Sequence, residues 1–148
     1  MKVYVAGKWI EAPVINAVQA RLVSMGHTIT HDWTAVEGIG QRDIMTDEER
    51  NVYRAHCAQL DIAGVQNADA VLALMLDSTY PYRGTFTEIG CALGLGKWVI
   101  IVCPDNSYSC TTNCFFHHPT IIRVNTIEKA LTLFDIRETN PQVWSSEF

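Results

Sequence analysis

The sequence predicts an α/β fold: one domain with a five-stranded parallel sheet covered by helices on both faces. Three observations lead there. Apolar runs of strand length alternate with longer stretches of helical spacing, the signature of a parallel sheet with crossover helices. The run Ala70–Leu76 is apolar without a break, as in a strand buried on both faces. The chain has 148 residues, 48% of them hydrophobic, enough for one core and too few for two. In order, Val3–Ala6 is the first strand, followed by a loop at Gly7 and by Val14, Ala17, Val18 and Leu22 at helical spacing up to Gly26. Thr28–Trp33 is a short second strand, and 34–46 is an aperiodic, glycine-containing loop over the strand ends. Asp47, Glu48 and Glu49 open a long helix whose first turn favours acids, running to about Ala63. Ala70–Leu76 empties into the polar, aromatic loop Asp77–Gly84, and Thr85–Leu95 is a helix closed by Gly94 and Gly96. Trp98–Cys103 is the fourth strand, Ile121–Val124 the fifth, and Ile127–Phe134 the last helix. Residues 1–148 form a single domain, with 138–148 a tail lacking a clear element.

Charge and composition exclude several functions. Eleven Lys+Arg against sixteen Asp+Glu leave a net charge of -5, which offers no basic face to a nucleic acid polymer. Apolar runs such as Trp98–Cys103 fall far short of the roughly 20 residues that span a bilayer, so no membrane partner is expected. Met1 leads straight into a strand-like run, which predicts no signal peptide and a cytoplasmic protein. The five cysteines, an odd number, fit free thiols in a reducing compartment. Cys110, Cys114, His117 and His118 lack the second ligand pair of a structural zinc module, so no metal is expected. The glycines of Gly90–Lys97 close a helix instead of opening one, and Trp98 stands where a phosphate loop needs Ser or Thr. Lys97 then belongs at the negative end of that helix.

In doubly wound sheets ligands bind beyond the carboxyl ends of the strands, which points to the loops 7–9, 77–88 and 104–116. Glu88 falls in the expected first helical turn, where the dipole alone would account for it. Its company argues for more. Asp61, Asp69, Asp77 and Glu88 surround one strand, whose loop also carries Tyr80, Tyr82 and Arg83. An aromatic ring such as Trp9 can stack on a planar base. One carboxylate can attack an anomeric carbon while a second acid protonates the departing group. Those are the requirements of N-glycosidic bond cleavage.

Four segments in order, Tyr4–Trp9, Asp61–Asp69, Gly84–Lys97 and Pro104–Asn113, resemble the nucleoside 2-deoxyribosyltransferases. The strongest motif is Gly-Thr-x-x-Glu-Ile-Gly-x-Ala-x-x-x-Gly-Lys, following Asp-x-x-Gly and a further Asp. The resemblance implies a flavodoxin-like fold and a homo-oligomer built of dimers with shared active sites. It also implies transfer of 2-deoxyribose between free nucleobases without metal or organic cofactor. It implies that Glu88 is the nucleophile, that Tyr4 orients it, and that Asp61 handles the base as a proton donor. Asn113 would reach into the neighbouring subunit's site and contact the sugar hydroxyls. On the residues alone, Asn113 is a turn residue, Tyr4 a strand residue, and Asp69 fixes a turn.

One position departs from the pattern. Six residues before Glu88, where members of the family place an aspartate that holds the deoxyribose hydroxyls, stand Tyr82 and then Arg83 and Gly84. A phenol can still bond a hydroxyl, whereas Arg83 could pair with a phosphate. The second option opens an alternative, hydrolysis of 2'-deoxynucleoside 5'-monophosphates, for which Lys8, Arg83, Thr85, Thr111 and Thr112 are available. A non-catalytic nucleotide sensor is a third, disfavoured by the full set of Tyr4, Asp61, Glu88 and Asn113. Trp33 and the loop after it would border the base. The tail 141–148 either covers a neighbour's cleft or packs on the surface.

Overall fold

A computed structural model describes residues 1–35, 44–104 and 108–139. Five parallel strands, β1 (Lys2–Ala6), β2 (Thr28–Ile29), β3 (Ala70–Leu74), β4 (Trp98–Val102) and β5 (Ile121–Val124), lie in the order β2-β1-β3-β4-β5. That order is the flavodoxin-like one, reversing between β1 and β3. Helices α1 (Ala12–Ser24) and α5 (Ile127–Thr139) cover one face, while α2 (Asp47–Asn67) and α3 (Arg83–Gly94) cover the other. A short helix α4 (Tyr108–Thr112) follows β4.

The period of two along β1 divides it between the two layers. Val3 and Val5 pack with Ile15, Leu22 and Phe134, whereas Tyr4 and Ala6 pack with Val65 and Ile89. Every residue of β3 is buried, as its unbroken apolar run predicts. Long β-β connections put α2 and α3 side by side over β1 and β3, so the sheet presents Tyr4 to both helices.

Several elements differ from expectation. β2 ends at Ile29, after which Trp33–Ala35 forms a single 3-10 turn. Thr30 takes the edge position, donating its N–H to Val3 O and its hydroxyl to Gly64 O at 2.8 Å, so the strand is diverted onto α2. α2 runs past Ala63 to Asn67, and its start is set by a capping box between Thr46 and Glu49. α3 begins at Arg83, two residues early, because Tyr82 adopts a left-handed conformation with φ 45° that turns the chain into the helix. α4 and the 3-10 turn Cys114–His117 lie in a segment with no apolar periodicity, and α5 extends through Glu138 to Thr139. The remaining tail and most of the 34–46 loop fall outside the described residues. No helix among the described residues is long and apolar enough to cross a membrane. None of the five cysteines is in a disulfide.

Candidate active site

Tyr4 sits in the middle of β1, fully buried, with its hydroxyl between α2 and α3. The hydroxyl lies 2.6 Å from Glu88 Oε1 and 3.2 Å from Asp61 Oδ1. Three elements thus deliver three side chains to one point. The close approach depends on Gly64, one turn beyond Asp61: a Cβ there would stand 2.8 Å from the Tyr4 ring and 2.8 Å from His31 Cβ. The glycine of the Asp-x-x-Gly pattern is therefore what lets α2 settle against β1.

Glu88 is in the second turn of α3, not the first, because the helix starts early. The dipole effect fades within the first turn, and burial governs instead. Burial pushes the Glu88 carboxyl up to about 7, against the Tyr4 hydrogen bond, which pulls it down. Burial likewise raises Asp61, opposed by the Tyr4 hydroxyl and by His31. Burial and the two carboxylates push the Tyr4 phenol far upward, so it remains a donor at any ordinary pH. A phenol has a single proton and can donate to one carboxylate at a time. The shorter contact suits a charge-assisted bond to ionised Glu88, which leaves Asp61 Oδ1 as the weaker partner of the phenol. Two carboxyls so linked titrate as a pair.

At the carboxyl ends of β1 and β3 lies a cavity of about 310 Å³, whose lining does not include Tyr4, Asp61 or Glu88. It is lined by Gly7, Lys8 and Trp9 after β1, and by Tyr80 to Thr85 at the start of α3. Glu88 follows Gly84 by one helical turn. A Cβ added at Gly84 would meet nothing within 4 Å, so the space beside it is open. Trp9 is partly exposed over the cavity, backed by Trp33 at 5.9 Å between ring centroids; Trp33 is anchored by its Nε1–H to Val5 O.

Of the four carboxylates expected around β3, two converge and two do not. Asp69 lies at the opposite end of the strand, where Oδ2 accepts the Lys2 N–H at 2.7 Å, the turn-fixing role its position suggests. Asp77 is ion-paired with Lys8 at 2.7 Å, which with the Thr79 hydroxyl and N–H holds its carboxyl well below the usual range. Lys8 also faces Glu11 at 3.4 Å and stands over the Tyr80 ring. The Tyr82 side chain is buried, and its hydroxyl accepts the Asp77 N–H at 2.9 Å. Asn113 lies after β4, away from the cavity lining, and its Oδ1 accepts the Phe115 N–H as the cap of a 3-10 turn. Nearby, His117 is engaged by Thr111 O and Arg123. Lys97 does not serve its own helix; its ammonium reaches Gln66 O and Ala68 O, closing the end of α2. His31, which no sequence pattern singles out, stands 3.5 Å from Asp61 Oδ1.

Comparison with known proteins adds two findings. A family model described as nucleoside 2-deoxyribosyltransferase matches residues 3–130. The structure of the CMP N-glycosidase BcmB from Clostridium botulinum is similar, with a TM-score of 0.56 and 16% identity, covering 92% of this chain and 99% of that one. At that identity the likeness is one of fold. No curated protein matches the chain.

Proposed function

The chain belongs to the nucleoside 2-deoxyribosyltransferase family, and from that premise we propose that it transfers 2-deoxyribose between nucleobases through a covalent ester on Glu88. The observation that carries the proposal is the Tyr4 hydroxyl held between Glu88 and Asp61 at 2.6 and 3.2 Å. Glu88 attacks C1' of a 2'-deoxynucleoside as the C1'–N bond breaks, and the bond pair leaves with the base. Asp61 protonates the departing nitrogen. A second base then attacks C1', the ester bond breaks back to carboxylate, and Asp61 recovers a proton from the incoming base. Two displacements at one carbon give retention. Tyr4 orients Glu88 and supports its ionised form. Trp9 offers a stacking face for the base, and Tyr82, Arg83 and Gly84 shape the sugar end of the cavity. Asn113 acts on the sugar of a neighbouring subunit in a homo-oligomer. No step calls for a metal or cofactor.

A second reading has its own support. Arg83 and Thr85 line the same cavity at the start of α3, and the Thr85 side chain is buried there without a hydrogen bond to another described residue. Helix N-termini favour phosphate oxygens, which suits a 2'-deoxynucleoside 5'-monophosphate whose sugar passes to water. Lys8 contributes little charge to such a group, being paired with Asp77 and Glu11.

Incubation with deoxyinosine or thymidine, and separately with their 5'-monophosphates, each with free adenine and followed by chromatography, distinguishes the readings. A new deoxynucleoside that requires the acceptor base is the expected result. Free deoxyribose phosphate from the monophosphates, with no exchange, would replace transfer by hydrolysis. No product from any of these would leave only a binder.

A further inference from the structure

The segment after β2 brings a fourth group to the Tyr4 cluster. Thr30 ties that segment to β1 and α2, and Gly64 leaves the space that the His31 side chain fills. His31 Nε2 is buried, has no hydrogen-bond partner, and faces Asp61 Oδ1 at 3.5 Å. Tyr4 approaches that same oxygen. Two groups from two elements therefore converge on Oδ1, while Oδ2 takes no partner from the described residues.

We propose that His31 is a positioning residue for the acid: its Nε2 holds Oδ1 of Asp61, so that the transferable proton resides on Oδ2. The argument rests on Asp61 being the acid of the proposed reaction. A free carboxyl group can rotate and carry its proton on either oxygen. An Nε2–H directed at Oδ1 makes that oxygen an acceptor and leaves the proton to Oδ2. A 3.5 Å separation is too long for a good hydrogen bond and must shorten in the substrate complex for this role, as catalytic contacts often do. Asp61 is faced by Tyr4 from β1, by Glu88 from α3 and by His31, so His31 is the neighbour outside the Tyr4–Glu88 pair.

The test is a series of 2'-deoxynucleosides, or their 5'-monophosphates if those are the substrates, differing in the acidity of the departing base. An acid matters most for the most basic leaving group. His31→Leu and His31→Asn are expected to lower kcat/KM about tenfold or more at that end of the series and less than twofold at the other. His31→Gln, whose amide nitrogen reaches the place of Nε2, is expected to restore most of the loss. A uniform fall across the series, or none, would overturn the proposal and leave His31 a packing residue. Asp61→Ala in the same series separates the two claims. If it shows the slope and the His31 variants do not, only this proposal fails. If Asp61→Ala shows none, the acid assignment fails with it.

Discussion

Glu88 is held between burial, which favours the carboxylic acid, and the Tyr4 hydroxyl, which favours the carboxylate. Its pKa in the fold, about 7, lies above the ordinary 4.5. Stability from this group is therefore whole below pH 4.5 and is lost as pH rises through 7. Glu88→Gln removes that dependence. Wild type should lose up to roughly 3 kcal/mol relative to the variant across this window, measured by denaturant melts at several pH values. Equal pH profiles would contradict the burial. Tyr4→Phe removes the group that lowers the Glu88 pKa, so the rising limb of the rate profile should move to higher pH, with kcat down about 10- to 100-fold. That Tyr4, Asp61 and Glu88 meet was legible only through the family resemblance of the motifs that carry them; on the residues alone Tyr4 reads as a strand residue. His31 was not legible: a single histidine after a two-residue strand has no periodicity, and only the diversion of the chain by Thr30 brings it to Asp61.

At the scale of elements, the site depends on how closely α2 lies against β1. Gly64→Ala would put a methyl group 2.8 to 2.9 Å from the Tyr4 ring. The expected cost is about 1–3 kcal/mol of stability, as for overpacking elsewhere, together with a loss of activity, because the backbone shift that relieves the clash carries Asp61 away from Tyr4. A variant with unchanged melting and rate would show that the site does not depend on this close approach. The sequence revealed the strands and main helices through their apolar periods but misjudged their ends. The early start of α3 depends on a left-handed Tyr82, an unusual conformation for a residue with a side chain and one that no pattern announces. α4 and the turn after it bury Cys110 and Phe116 in a stretch of mostly polar residues, too short to show a helical period.

For the whole molecule, the strand order places a crevice between β1 and β3, and the cavity and the carboxyl pair both belong to that region. The flavodoxin-like order followed from the family resemblance, whereas the alternation of apolar runs was sufficient to anticipate a parallel α/β sheet. It held no information on assembly, since neither strand nor helix periods distinguish a surface that meets solvent from one that meets a second copy. If Asn113 completes a neighbour's site, Glu88→Ala and Asn113→Ala proteins, each nearly inactive alone, should regain activity when dissociated and reassembled together. Random dimers would restore roughly a quarter of the sites. No recovery, with both variants shown to exchange subunits, would place Asn113 outside the shared site. The most direct measurement for the whole account is intact-mass analysis after rapid acid quench of the enzyme with a 2'-deoxynucleoside and no acceptor base. A gain of one deoxyribosyl group, located on Glu88 by peptide mapping and absent from Glu88→Gln, is the predicted result. Rapid turnover with no adduct at any quench time, or an adduct on another residue, would contradict it.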